Sequence, residues 1–176
     1  VTGNIAIAWV SSIFDGSTGV WCAGKQDTQS YAVSTTRWSV VDGTLQASPG
    51  EANVQQAVRE SVTWDRLRVN CTSIGTGGNL TVRSRIGAVD GNQVLTFTAT
   101  GIQEDITNSD SPVNGDLINT QVANTNTAGT TSLRFIHYRH TGNQTFFGTS
   151  NPGAVSIAGV LTRDWQVEGN IVPQTV

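Results

Sequence analysis

The stretch from Trp64 to Thr100, WDRLRVNCTSIGTGGNLTVRSRIGAVDGNQVLTFTAT, constrains the fold more than any other part of the chain. Leu67, Val69 and Cys71 alternate with Arg66, Arg68 and Asn70. Leu80, Val82, Ser84 and Ile86 alternate with Thr81, Arg83 and Arg85, and Leu95, Phe97 and Ala99 with Thr96, Thr98 and Thr100. A period of two is that of a strand with one face on a core and the other in water. Gly75-Thr76-Gly77-Gly78-Asn79 and Asp90-Gly91-Asn92 read as the intervening loops, because Asp-Gly favours a hairpin. Three half-buried strands cannot stand alone, so the remainder must supply a second sheet. The expected fold is all-β, a jelly-roll-type antiparallel sandwich of about 8–10 strands.

The flanking sequence fits that expectation. Short strands are read at 4–10, 20–23, 30–33, 37–41, 102–108, 117–123, 132–140, 145–148 and 154–161, with Asp15 to Gly19 as a loop. In Ser132 to His140, Leu133, Phe135 and His137 are read as opposing Arg134, Ile136 and Tyr138. The run ANVQQAVRES (52–61) carries both helical and strand spacing, and its place before Trp64 favours a strand. No internal repeat or linker-like shift in composition divides the 176 residues, so residues 1–176 read as one domain with extended arms at 1–12 and 169–176.

Composition narrows the function. Charged residues make up 13% of the chain, about half the usual share, and the formal charge is −3 with no basic patch, which argues against a nucleic-acid partner. No run approaches the roughly 20 apolar residues of a membrane helix, so no membrane partner is expected. Val1 is small enough to follow a removed initiator, which points to synthesis in a cytosol. Cys71 falls on the apolar face of its strand and reads as a buried free thiol, with a Cys22–Cys71 disulfide as the alternative.

No arrangement of residues announces a reaction. His137 and His140 are three apart and point to opposite faces of a strand, which separates them as metal ligands. Asp15, Asp42, Asp90, Asp110 and Asp116 lie in turns, where Asp hydrogen-bonds its own backbone. The run from Asp105 to Asp116 is rich in oxygen ligands but lacks the spacing and closing Glu of a calcium loop. Gly75, Gly77 and Gly78 precede a strand, where a phosphate loop would need a helix. No catalytic residue, cofactor-binding residue or metal ligand is assigned, and the chain is read as no enzyme. Trp9, Trp21, Trp38, Trp64 and Trp165 read as core or subunit contacts, each burying a large area while one N–H finds a partner.

The segments RLRVNCTS, NLTVRSRIGAVDGNQVLTFTA, GDLINTQVAN and SLRFIHYR, spanning Arg66 to Arg139, resemble bacteriophage virion accessory proteins, especially head decoration proteins and fibre tips with tumour-necrosis-factor-like jelly rolls. The resemblance implies a jelly roll, a homotrimer, and attachment to a capsid or exposure at a virion tip. The expectation is therefore a structural protein of the virion, made in the host cytoplasm. It would be a capsid decoration subunit that binds the major capsid protein or other virion proteins and stabilises the outer shell. Ile5, Ile7 and Trp9 in one arm, and Ile171 and Val172 in the other, are its candidate interface residues. The alternative is a carbohydrate-binding module or receptor-binding tip with a glycan partner, in which Trp21, Tyr31 or Tyr138 would stack on sugar.

Overall fold

The alternation between Trp64 and Thr100 becomes three antiparallel strands divided between two sheets. The computed structural model describes residues 28–41, 47–58 and 61–139 in full, and residues 9–23 and 140–150 by their backbone path. One sheet holds β1 (Trp9–Ala23), β2 (Gln29–Tyr31), β5 (Thr63–Ser73), β8 (Gly101–Glu104), β9 (Ser109–Asp110) and β11 (Thr131–Ser150). The other holds β3 (Thr35–Ser39), β4 (Gln56–Ala57), β6 (Leu80–Ile86), β7 (Val89–Phe97) and β10 (Leu117–Asn124). The run read as ambiguous opens with a single 3-10 turn, Glu51–Asn53, before β4.

β1 and β2 share one side of β11, β3 and β4 one side of β10, and β8 and β9 one side of β5. Each such couple occupies one lane, so the described strands fill eight lanes in chain order. The first sheet then runs 1-8-3-6 and the second 2-7-4-5. Lane 1 pairs with 8, 2 with 7, 3 with 6 and 4 with 5, each pair antiparallel and successive pairs in alternate sheets. That is a long antiparallel hairpin wrapped around a core, the topology of a jelly roll. The expected fold class is the one observed.

The core lies between the sheets. Trp64, Leu67, Val69, Leu80, Val82, Phe97, Val122 and Leu133 are all without solvent exposure, and Trp64 packs tilted against Tyr138 with ring centroids 5.3 Å apart. Removing side chains of this size from water stabilises by roughly 1.5–3 kcal/mol each. Cys71 is a buried free thiol, and burial pushes its pKa up.

Three details depart from simple alternation. First, Arg66 has φ +52° and forms a bulge, so Trp64 and Leu67 both face inward although they lie three positions apart. Second, the hairpin between β6 and β7 turns at Gly87 and Ala88, with φ +58° and +64°, and Asp90-Gly91-Asn92 lies within β7. Two successive positive φ angles match the right-handed twist of the strands. Arg85 donates to the Ala88 carbonyl and ion-pairs with Asp90, which holds the turn three residues ahead of the Asp-Gly signal. Third, register shifts between Ser132 and Phe135 put Leu133, Ile136 and Tyr138 in the core and Phe135 and His137 on the outer face. The expected opposition of Ile136 and Tyr138 to Leu133 is corrected accordingly. Register shifts also absorb Asp15 to Gly19 into β1, where a separate loop was expected.

Candidate functional site on the outer face of the second sheet

Alternation along β10 sends Ile118, Thr120 and Val122 inward, which leaves Asn119 and Gln121 on the outer face. The sheet register sets Trp38 of β3 beside Gln121, Gln121 beside Arg83 of β6, and Arg83 beside Val94 of β7. In the adjoining row Asn119 stands beside Arg85, and Arg85 beside Asp90. The outcome is a plate of one indole, two amides and two guanidiniums.

Carboxylates hold the guanidiniums in place. The 3-10 turn brings Glu51 to Arg85, whose Nε donates to Oε1 at 2.9 Å and whose Nη2 donates to Oε2 at 3.2 Å. Asp90 accepts from both Arg83 and Arg85. Burial would raise the Asp90 pKa, but the hydrogen bonds and charges of Arg85 and Arg83 hold it below the usual carboxylate range. The hydrogen bond to Glu51 pushes the Arg85 pKa up, so its guanidinium stays charged. Two cations thus face two anions.

Much of the plate's hydrogen-bonding capacity is unspent. Trp38 Nε1, Arg83 Nε, and both Nδ2 and Oδ1 of Asn119 are buried without a partner. These are four of the six such side-chain atoms among the described residues, and they fall in two neighbouring rows. Native proteins leave few buried polar groups unmatched, because each costs about 1–3 kcal/mol. The four atoms lie together beneath this face, and Asn119 itself has no solvent exposure.

The other polar clusters have structural partners. Asp105 accepts from the backbone N–H of Val94, Thr107 and Asn108. Burial would raise its pKa, but these bonds and the Asn108 amide hold it low. Asp110 accepts from Asn92 N–H at 2.7 Å and from Ser84 and Gln93. The oxygen-rich run therefore spends two carboxylates on the margin of β7, where Asn92 and Val94 would otherwise present free N–H groups. Asp110 is buried, whereas it was expected to cap its own turn; Asp116 does cap its turn through Val113 N–H. On the outer face of the first sheet, Arg139 pairs with Asp65, Arg68 lies over Phe135, and Phe135 stacks on His137 at 4.2 Å. Burial, then the nearby charge of Arg68, lower the His137 pKa to about 4. Among the described residues no group of three or more His, Cys, Asp or Glu is placed to hold a metal ion, and no helix is long and apolar enough to cross a membrane.

Of the interface residues expected from sequence, Ile5, Ile7, Ile171 and Val172 lie outside the described residues. Trp9 opens β1 opposite Ser150, and its side chain also lies outside the description, as do those of Trp21, Cys22 and His140. Tyr31 and Tyr138 are corrected as sugar-stacking candidates, since both are buried core residues and Tyr138 hydrogen-bonds Thr120. Trp64 is a core residue as expected. Trp38 is only half-buried and belongs to the plate. Sequence reasoning missed this plate as a site: the alternation of Arg83 and Arg85 was visible, but Trp38 and Gln121 meet only through strand pairing.

No family model, curated protein or solved structure matches this chain. Fold and site together define a jelly-roll β-sandwich with a charge-balanced polar plate on one outer face.

Proposed function

We propose that this chain is a non-enzymatic structural protein of a bacteriophage virion, a decoration subunit that binds and stabilises the outer capsid surface. The observation that carries the reading is an apolar rim at one end of the second sheet. Val89, Val113 and Leu117 are 67%, 53% and 41% exposed. Val89 pairs with Ile86, and the Gly87 N–H donates to the Leu117 carbonyl, so Val89 and Leu117 flank the same hairpin. Val113 enters the turn that Asp116 closes immediately before β10. Single exposed apolar side chains are ordinary, but three at one end, from the β6–β7 hairpin and from the turn leading into β10, suit burial against another protein.

The jelly roll supports the reading by analogy, since viral shell proteins are among the proteins that use it, as are lectins. The resemblance of residues 66–139 to virion accessory proteins adds to it. On this reading the partner is the major capsid protein or another virion protein, the subunits form a homotrimer through the terminal arms, and the protein acts in the virion after synthesis in the host cytoplasm. Binding would stabilise the shell by mass action through buried interface area.

The test is co-sedimentation with capsids of the phage that encodes the chain. Saturable binding is expected, weakened at least tenfold in a Val89→Glu, Leu117→Glu double variant whose melting temperature is unchanged. Light scattering of the free protein is expected to give the mass of a trimer. Capsids that pellet without the protein would rule the reading out.

A further inference from the structure

The first sheet ends on β8, and the outer edge of that strand carries an inference separate from the capsid reading. Two other sheet margins are covered. Asp105 and Asp110 occupy the N–H groups of Val94 and Asn92 on β7, and Ser48 exchanges both backbone bonds with Trp38 on β3. Just past β8, the Asp105 N–H donates to the Leu67 carbonyl at 2.9 Å, which fixes the phase of the ladder with β5. Antiparallel strands bond at every second pair, so Gly101 and Gln103 bond Cys71 and Val69. Ile102 and Glu104 therefore turn their N–H and C=O away from the sheet, and no described residue meets those groups. Neither a proline nor a bulge blunts the edge, and two isoleucines stand out beside it, Ile102 53% and Ile106 72% exposed. An edge of this kind is a template for a further strand.

The occupant that fits is the same edge turned around. A two-fold axis at Gln103 sets Ile102 opposite Glu104 of a second copy, and Glu104 opposite Ile102 of that copy. The outward groups of both edges then meet in about four backbone hydrogen bonds. The charges agree as well. Arg66 Nη1 lies 2.9 Å from Glu104 Oε1, and the axis brings two such pairs side by side, each guanidinium near the other copy's carboxylate. Ile106 reaches the exposed bend at 98–100, Thr-Ala-Thr, whose short side chains leave it room. We propose that β8 pairs antiparallel with β8 of a second copy, joining two four-lane sheets into one of eight lanes. β1 lies at the opposite edge of the first sheet, so this seam leaves that margin to other contacts.

Sedimentation equilibrium of the whole chain from about 1 to about 500 μM tests this, a range suited to a small contact. The mass is expected at least to double, whatever it is at the dilute end. Ile102→Pro removes only an N–H that faces away from the sheet, so the fold tolerates it while the seam loses about half its bonds. Association is expected to weaken at least tenfold in Ile102→Pro and to stay within about twofold in Ile102→Thr, which keeps the N–H. Amide exchange at Ile102 and Glu104 is expected to slow as the mass doubles. Circular dichroism melts establish that the variants are folded; if Ile102→Pro is not, Ile106→Asp decides, with the same tenfold loss expected. A mass independent of concentration, doubling that survives in the deciding variant, or amides at 102 and 104 that exchange equally fast throughout would overturn the proposal. An edge reserved for a strand of another protein would give the first of those results. None of them bears on capsid binding, which Val89 and Leu117 test.

Discussion

Gln93 and Leu67 belong to different sheets, yet Gln93 Oε1 accepts the Leu67 backbone N–H at 2.7 Å. The bulge at Arg66 frees that N–H from the strand ladder, and the other end of the same amide donates to the Trp64 carbonyl at 3.4 Å and to Asp110 at 3.2 Å. A fully buried glutamine thus repairs the backbone of the facing strand. Gln93→Leu has nearly the right volume but leaves the Leu67 N–H and a carboxylate oxygen under-satisfied. The expected loss is about 2–3 kcal/mol of unfolding free energy in urea, against less than about 0.5 kcal/mol for the exposed Thr96→Ser one strand face away. Equal effects of the two substitutions would show that the amide is incidental.

Gly91 and Gly87 make a second contrast. A Cβ at Gly91 would collide with the Ser84 hydroxyl and come within 2.9 Å of Asp110 Oδ2, whereas one at Gly87 would meet nothing. Gly87 instead holds φ +58°, which costs an L-residue about 1 kcal/mol. Gly91→Ala is expected to destabilise by roughly 3 kcal/mol, as an overpacked core position does, and Gly87→Ala by about 1 kcal/mol. The two also differ in coupling. Ser84→Ala removes the nearest atom in the clash at Gly91, so the double variant should be less destabilised than the sum of the singles, while Gly87→Ala and Ser84→Ala should add.

The layered fold was legible in the sequence because its signal is local. Leu67, Val69, Cys71, Leu80, Val82, Leu95 and Phe97 alternate as written and are all buried as expected. What was not legible depends on partners far away in the chain. The burial of Gln93 depends on the bulge in β5, which gives its amide two backbone groups to serve. Asp-Gly at 90–91 is a strong hairpin signal by itself, and only Arg85, reaching both Ala88 and Asp90, shows why the chain turns earlier. Trp38 and Asn119 join the plate through pairing across β10, which no spacing within either segment records.

His137 sets a pH dependence. Its folded-state pKa is depressed to about 4 from an ordinary 6.5, so between those values the unfolded chain binds the proton and the folded chain resists it. The contribution is therefore fully present above pH 6.5 and is lost as pH falls toward 4, by at most about 3 kcal/mol. His137→Phe preserves the stack on Phe135 and removes the titration. Urea unfolding from pH 7 to 4.5 should show a steeper decline for the wild type than for the variant. Parallel slopes would mean that the imidazole stays accessible to protons in the folded state.

Thr120 and Tyr138 provide the last test, because their 3.0 Å hydrogen bond crosses the interior from β10 to β11. Both residues are buried, and burial pushes the phenol pKa up, so the neutral O–H is the form that bonds. Tyr138→Phe removes one partner and keeps the ring against Trp64, stranding the Thr120 hydroxyl at a cost of about 1–2 kcal/mol. Thr120→Val strands the phenol and should cost about as much. With both groups gone, neither sheet presents an unmatched polar atom there, and the double variant should lose less than the sum of the two, with a coupling near 1 kcal/mol. Strict additivity in urea denaturation would mean that the two hydroxyls are satisfied separately and that the sheets are held together at this point by apolar contact alone.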